Sequence, residues 1–246
     1  MVKLLIVGRR RGGMTVSQLH QYMTDIHGAM VVRFIGESPE QCPKRYVQNH
    51  VFDGTTRSPN GTTHSPNGSV DPFTSSRDFV TQVWFDNPMQ AKASIEAPLY
   101  LEHLQPDEEN FVDHSSVVKL PVTELPIFGD ATGPAAYKVF VFHQRAATAS
   151  SEALAAASLA QWKSQLSSPN HGVGRVVRNI VMSRPDAPQN VDFIDEAWVD
   201  NEKNARGLAS QWQDLATNAT LRGIIAPRSC FVLLAREKVM FAGSGS

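Results

Sequence analysis

Apolar and polar residues along this chain change period several times, and the changes mark out its elements. Residues 2–10 and 137–144 are apolar runs of strand length. Thr15-Val16-Ser17-Gln18 has the spacing of a capping box, and Val16, Leu19, Met23, Ile26, Met30 and Phe34 follow at helical intervals. A second helix, rich in Ala and Leu, is predicted over 151–166. Strands are predicted over 45–52, 79–85 and near 115–123, and again over 175–182, 193–199 and 229–237. Further helices are predicted over about 88–97 and 202–216.

The pattern occurs twice because the sequence does. DFVTQVWFDNPMQAKA (78–93) aligns without a gap on DFIDEAWVDNEKNARG (192–207). RYVQNHV (45–51) aligns on RVVRNIV (175–181), and VKLLIVGRR (2–10) more weakly on YKVFVFHQR (137–145). Three matches in one order mean an internal duplication. Each copy reads β-α-β-β-α-β, the ferredoxin-like unit, so the fold class is α+β. The predicted domains are 1–123 and 137–242, joined by a linker at 124–136. A sheet of this kind carries helices on one face only, and the second copy is expected to cover the bare face of the first. The chain is thus a monomer with an internal pseudo-dimer, or a homodimer of such chains. Residues 53–78, with RSPNG and HSPNG, have no equivalent in the second copy and read as a tolerated insertion or as a lid.

Composition narrows the partners. With 41% hydrophobic and 19% charged residues and a formal net charge of −1, nothing favours nucleic acid or anionic lipid. Arg9, Arg10 and Arg11 read as a solvated strand end. The two cysteines, Cys42 and Cys230, lie far apart without metal-ligand spacing, which fits a reducing cytoplasm and no metal site. No apolar run suits a signal peptide or a membrane span, and the final Gly243-Ser244-Gly245-Ser246 reads as a linker scar.

Duplication also sorts the polar residues. Asn49, Trp84 and Asp86 recur as Asn179, Trp198 and Asp200, whereas His27 falls opposite Trp162 and His50 opposite Ile180. Shared residues point to scaffold and unshared ones to function. Gly28 suggests that the first helix ends or bends beside His27. That position suits either an imidazole favoured by the helix dipole or a pocket acid/base group. In the second strand, Val47 and Val51 are expected beneath the helices. Tyr46, Gln48 and His50 would then face the opposite, barrel-facing side, as would Arg178 in the second copy. Tyr46, Gln48 and Arg178 are candidate substrate-binding residues. Asp107, in the acidic stretch 107–113, is either another or part of a solvated turn. His20 reads as a surface or boundary residue.

Four stretches carry a family resemblance: KLLIVGRRRGGMTVSQLHQYMTDIHG, YVQNH, FVTQVWFDN and DEENFVD. Together they resemble the EthD family of the dimeric α+β barrel superfamily. The resemblance implies two ferredoxin-like sheets packed face to face within one chain. It also implies a pocket for a small, often aromatic or polyketide-like molecule, and chemistry without a cofactor. His27 and His50 would then be an acid/base pair. The expected activity is that of a cofactor-independent lyase (elimination, decarboxylation or retro-aldol cleavage). The alternatives are an isomerase or cyclase, or a non-catalytic binding protein of the same pathway. Other branches of the superfamily bind haem, which would require an axial imidazole.

Overall fold

The computed structural model describes residues 1–54, 77–130, 136–168, 171–182, 191–215, 223–226 and 231–243. The chain divides into two compact units. The first comprises Met1–Phe52, Arg77–Val122 and Glu237–Ser246, and the second Asp53–Ser76 and Thr123–Arg236. The expected insertion at 53–78 lies largely outside the described residues.

In the first unit, β1 (Val2–Gly8) pairs antiparallel with β3 (Phe79–Phe85) on one side and with β4 (Val118–Phe128) on the other. β3 in turn pairs with β2 (Arg45–Gly54), so the ladder reads β4-β1-β3-β2, the ferredoxin-like order. Its helices are α1 (Val16–Tyr22), α2 (Gly28–Glu37), α3 (Pro88–Glu96) and the short α4 (Gln105–Glu108). The second unit repeats the scheme with β5 (Tyr137–His143), α5 (Ser151–Leu166), β6 (Val173–Val181), β7 (Phe193–Val199), α6 (Glu202–Leu215) and β8 (Phe231–Phe241). There the ladder is β8-β5-β7-β6. β4 runs five residues into the segment expected to be a linker.

The duplication is visible in the packing. Lys3 and Arg45 lie over the ring of Trp84, at 4.7 and 4.8 Å from its centroid. Lys138 and Arg175 repeat this over Trp198 at 4.4 and 4.6 Å, consistent with a packing role for both indoles. Arg10 bonds Asp78 through its main-chain N–H and its guanidinium, and Arg145 holds Asp192 in the same way. Arg9 pairs with Asp113. The basic cluster is therefore a set of clamps at the end of β1 rather than a solvated strand end.

Two expectations about the first unit are corrected. The first helix does not end at Gly28. The capping box forms at Thr15, α1 leads into a π-helical segment at Met23–His27, and α2 continues without a break to Glu37. Buried positions step from Leu19 to Met23 and then five residues to Gly28, before Val31, Phe34 and Ile35. The extra residue turns Ile26 outward, 46% exposed, and takes His27 off the core stripe. In the second unit α5 is regular, with Leu154, Ser158 and Trp162 buried at steps of four.

The second correction concerns β2. Tyr46, Gln48 and His50 face the helices and not the opposite side. Tyr46 packs in one cluster with Val31, Phe34 and Ile35 of α2, and the Gln48 side chain donates to the Met23 carbonyl at 2.6 Å. The reason is a matching of polar groups. The π turn presents the Met23 carbonyl to the sheet, where it accepts from the Gly28 N–H and from the Gln48 amide as a second donor, and with Gln48 on that side the valines and Asn49 take the other face. Asn49 is satisfied there by the Val80 carbonyl at 2.9 Å and Gln82 at 3.1 Å.

Gly28 makes this approach possible. A Cβ there would lie 2.6 Å from the Met23 carbonyl oxygen, 2.7 Å from Met240 Cε and 2.8 Å from Gln48 Nε2. Two of those three obstacles are fixed by the bond itself. Gly28→Ala is therefore expected to destabilise the protein by about 1–3 kcal/mol, as overpacked interiors do. Urea unfolding measures this, and an unchanged midpoint would contradict it.

Candidate functional site

Two groups of side chains meet between helix and sheet in the first unit. The first is centred on His27. Its Nδ1 lies 2.9 Å from Asp107 Oδ2, and the Tyr22 hydroxyl donates to Asp107 Oδ1 at 2.6 Å. The Phe111 ring packs on both Tyr22 and His27, with centroids 5.3 and 4.8 Å away. The His27 and Asp107 side chains are 12% and 10% exposed, screened but not sealed. Both arise next to π turns. His27 is the last residue of the segment Met23–His27, and Asp107 lies in α4, directly after a second π segment at Tyr100–Leu104. Such turns recur at functional sites because they re-aim a side chain without ending the helix.

Electrostatics keep Asp107 ionised. Burial pushes its carboxyl up, but hydrogen bonds from His27, Tyr22 and Asn110 outweigh that and hold it below the ordinary carboxylate value. Tyr22 moves the other way, raised first by burial and then by its bond to Asp107. An ionised carboxylate only accepts, so His27 Nδ1 carries the hydrogen, and Nε2 is the atom left to exchange a proton.

The second group is centred on His50. Its ring stacks on His20, with centroids 4.4 Å apart and planes 11° from parallel. His50 Nε2 lies 3.0 Å from Gln48 Oε1, and His20 Nε2 lies 3.0 Å from the Asp78 carbonyl oxygen. Burial, then His20 and Lys238, lower His50 to about 4. The imidazole is therefore neutral at physiological pH.

The predicted site residues thus separate. His27 and Asp107 form a hydrogen-bonded dyad, with Asp107 on a helix rather than in a solvated turn. His50 belongs to a different cluster, and the hydrogen bonds and ring contacts of the two histidines share no partner. Tyr46 and Gln48 are 2% and 0% exposed. Gln48 Nε2 spends its hydrogens on the Met23 carbonyl and the Tyr46 hydroxyl, both at 2.6 Å. These two residues hold the site rather than line it. Arg178 lies in the second unit, buried against α5. It bonds Asp195 at 2.7 and 3.0 Å and Ser158 at 2.8 Å, and its guanidinium lies over Phe193. It therefore faces the helix, contrary to expectation, and its charge is compensated within the core. Trp162, opposite His27 in the alignment, donates to the same Asp195 at 2.8 Å.

Sequence reasoning missed His20 and Tyr22. Both lie on α1 within one turn of buried Leu19 or Met23, and the only available signal was their place beside the apolar stripe. A cleft of about 350 Å³ beside α1 is lined by Gly13, Met14, Gln18, Gln21, Tyr22, Asp25 and Ile26. It meets the dyad network at Tyr22. Among the described residues, no group of three or more His, Cys, Asp or Glu side chains is placed to hold a metal ion, and no helix is long and apolar enough to cross a membrane.

Residues 11–115, which include both groups, match the EthD domain family model. No curated protein matches the chain at a significant level. Among solved structures, the chain is similar to an anthrone oxidase-like protein, with a TM-score of 0.58 and 13% identity over 100% of this chain and 96% of that one. It is also similar to a protein described as a candidate chlorite dismutase, with a TM-score of 0.55 and 12% identity over 97% and 95%. A mutant chlorite dismutase from Candidatus Nitrospira defluvii gives a TM-score of 0.50 and 11% identity over 97% and 92%. At these identities the likeness establishes fold alone: the chain shares the α+β fold of these proteins.

The neutral state of His50 has a measurable consequence. In the unfolded chain this histidine titrates near its ordinary value of 6.5, and in the folded protein near 4. The folded form thus binds fewer protons between these values, and stability is expected to fall as pH drops from about 6.5 to about 4. Chemical denaturation across that range tests this. His50→Phe should flatten the decline, and an equal slope in the variant would count against the assignment.

Proposed function

We propose that the EthD-bearing unit is the active half of a cofactor-independent lyase, and that His27 moves the proton. The observation that carries this reading is the 2.9 Å hydrogen bond between His27 Nδ1 and Asp107. A carboxylate in that position fixes the tautomer, aims Nε2 and stabilises the imidazolium that forms when Nε2 takes a proton. Asp107 is an orienting residue here and does not touch substrate. Elimination, decarboxylation and retro-aldol cleavage all use a proton transfer and the stabilisation of a developing oxyanion. An isomerase or cyclase would use the same groups.

The substrate class rests on the EthD match and on the aromatic wall that Tyr22 and Phe111 make beside His27. Both favour a small ring-bearing molecule. The anthrone in one structural neighbour's name is a fused-ring ketone, which makes ring ketones the first compounds to try. His143 does not suit an axial haem ligand: it is fully buried against Phe193 and Trp212, with Nε2 3.3 Å from Asp195.

Turnover of candidate ring ketones and their carboxylated or hydroxylated precursors is the test. His27→Ala is expected to lower kcat by about 10²–10⁴-fold, the range of a lost general acid/base. Asp107→Asn should lower it less, with a shifted pH profile. Full activity of a folded His27→Ala protein would sink the reading. Ligand-dependent rises in Tm without product would favour a binding protein instead.

A further inference from the structure

The two stacked imidazoles can be assigned hydrogen by hydrogen. His20 Nε2 faces the Asp78 main-chain carbonyl at 3.0 Å. A carbonyl only accepts, so Nε2 carries the hydrogen. For His50 the assignment runs through Gln48. The Gln48 side-chain nitrogen faces the Met23 carbonyl at 2.6 Å, another group that only accepts, so the amide cannot be flipped. Its oxygen is therefore turned to His50 Nε2, 3.0 Å away, and that nitrogen is also an N–H. In the neutral ring the lone pair is then on Nδ1.

We infer that His50 works as a neutral hydrogen-bond acceptor, offering Nδ1 to a substrate hydroxyl, and that His20 is the positioning residue that keeps it in this state. This rests on the acid/base reading above and deepens it, because it leaves proton transfer to His27 alone. It also specifies the substrate: at this end the molecule carries a phenolic or enolic hydroxyl rather than a carboxylate. A carboxylate has no hydrogen to give Nδ1 and would favour the protonated ring.

The surroundings agree. Among the described residues, the charged groups that act on His50 are His20 from α1 and Lys238 from β8, and both oppose a positive charge on the ring. The Asp78 carboxylate, next in line, is already held by Arg10 at 2.6 and 2.9 Å. His20 contributes twice, by stacking on the His50 ring and by tying that stack to the end of β3 through the Asp78 carbonyl. His50 has no equivalent in the second unit, where Ile180 stands, 42% exposed.

Long-range ¹H–¹⁵N NMR of histidine-labelled protein reads the tautomer directly. The expected result at pH 7 is an unprotonated Nδ1 and a protonated Nε2 on His50, with no titration above about pH 5. An Nδ1–H tautomer, or an imidazolium at pH 7, would overturn the assignment. In His20→Phe, which keeps a ring in the stack, His50 should titrate closer to 6.5; an unmoved titration would remove His20 from the account. Phenol and benzoate serve as probes of the substrate class. Phenol should shift the His50 Nδ1 signal and benzoate should not. A shift with benzoate alone, or with neither, overturns the hydroxyl assignment. None of these readouts needs turnover, so their failure is distinguishable from an unimpaired His27→Ala enzyme, which would sink the catalytic reading only.

Discussion

The hydrogen bond from the Gln48 side chain to the Met23 carbonyl is the constraint on which both parts of the site depend. Met23 opens the π turn, and its carbonyl also accepts the Gly28 N–H, the long i to i+5 bond that defines such a turn. A buried carbonyl reached by a second donor stabilises the turn at that point. The turn sets the direction of His27, its last residue, because one residue more or less rotates everything beyond by about 100°. The other end of the same amide fixes the ring of His50. One buried side chain thus aims two histidines that do not touch each other, and Gly28 is the residue that leaves it room.

The second unit shows what the same frame becomes without that device. Trp162 occupies the core in place of His27, Arg178 stands where Gln48 does, and both bond to Asp195. This carboxylate is fully buried. Burial opposes its charge, but hydrogen bonds and charge from His143 and Arg178 dominate and hold it far down. Removing either partner from such a set leaves an uncompensated buried charge, which is costly. One unit therefore invests its helix–sheet interface in a closed ionic core, and the other in a screened dyad that retains some exposure. Duplicated folds can divide labour in this way because the scaffold elements, the Arg–Asp clamps and the cation–indole stacks, are kept in both.

Much of the fold was legible because it rests on period and repetition. β3, β7 and α5 fall at their expected limits, and the other predicted strands and helices lie within a few residues of theirs, because alternation and amphipathic spacing are local properties. The residues unique to the first copy were legible by subtraction, which isolated His27 and His50. Three features were not. The π turn breaks no pattern that spacing can register, since Ile26 sits where an ordinary helix would bury it. The face of β2 was misread because Val47 and Val51 suggest a helix-facing side, while the deciding partner is a carbonyl 25 residues away. The pairing of His27 with Asp107 spans 80 residues and depends on a short helix that no apolar periodicity announces. His20, read as a surface or boundary residue, was misjudged for the same reason, its meaning given by a ring and a carbonyl that the fold brings to it.

A crystal structure of Gln48→Leu addresses the central claim most directly, because leucine fills the space and removes the bond. If the amide aims both groups, the π turn relaxes, the His27–Asp107 hydrogen bond is lost from its 2.9 Å separation, and His50 leaves its 4.4 Å stack on His20. If both distances persist in the variant with the π turn intact, the two histidines are positioned by something other than Gln48, and the account is wrong at its root.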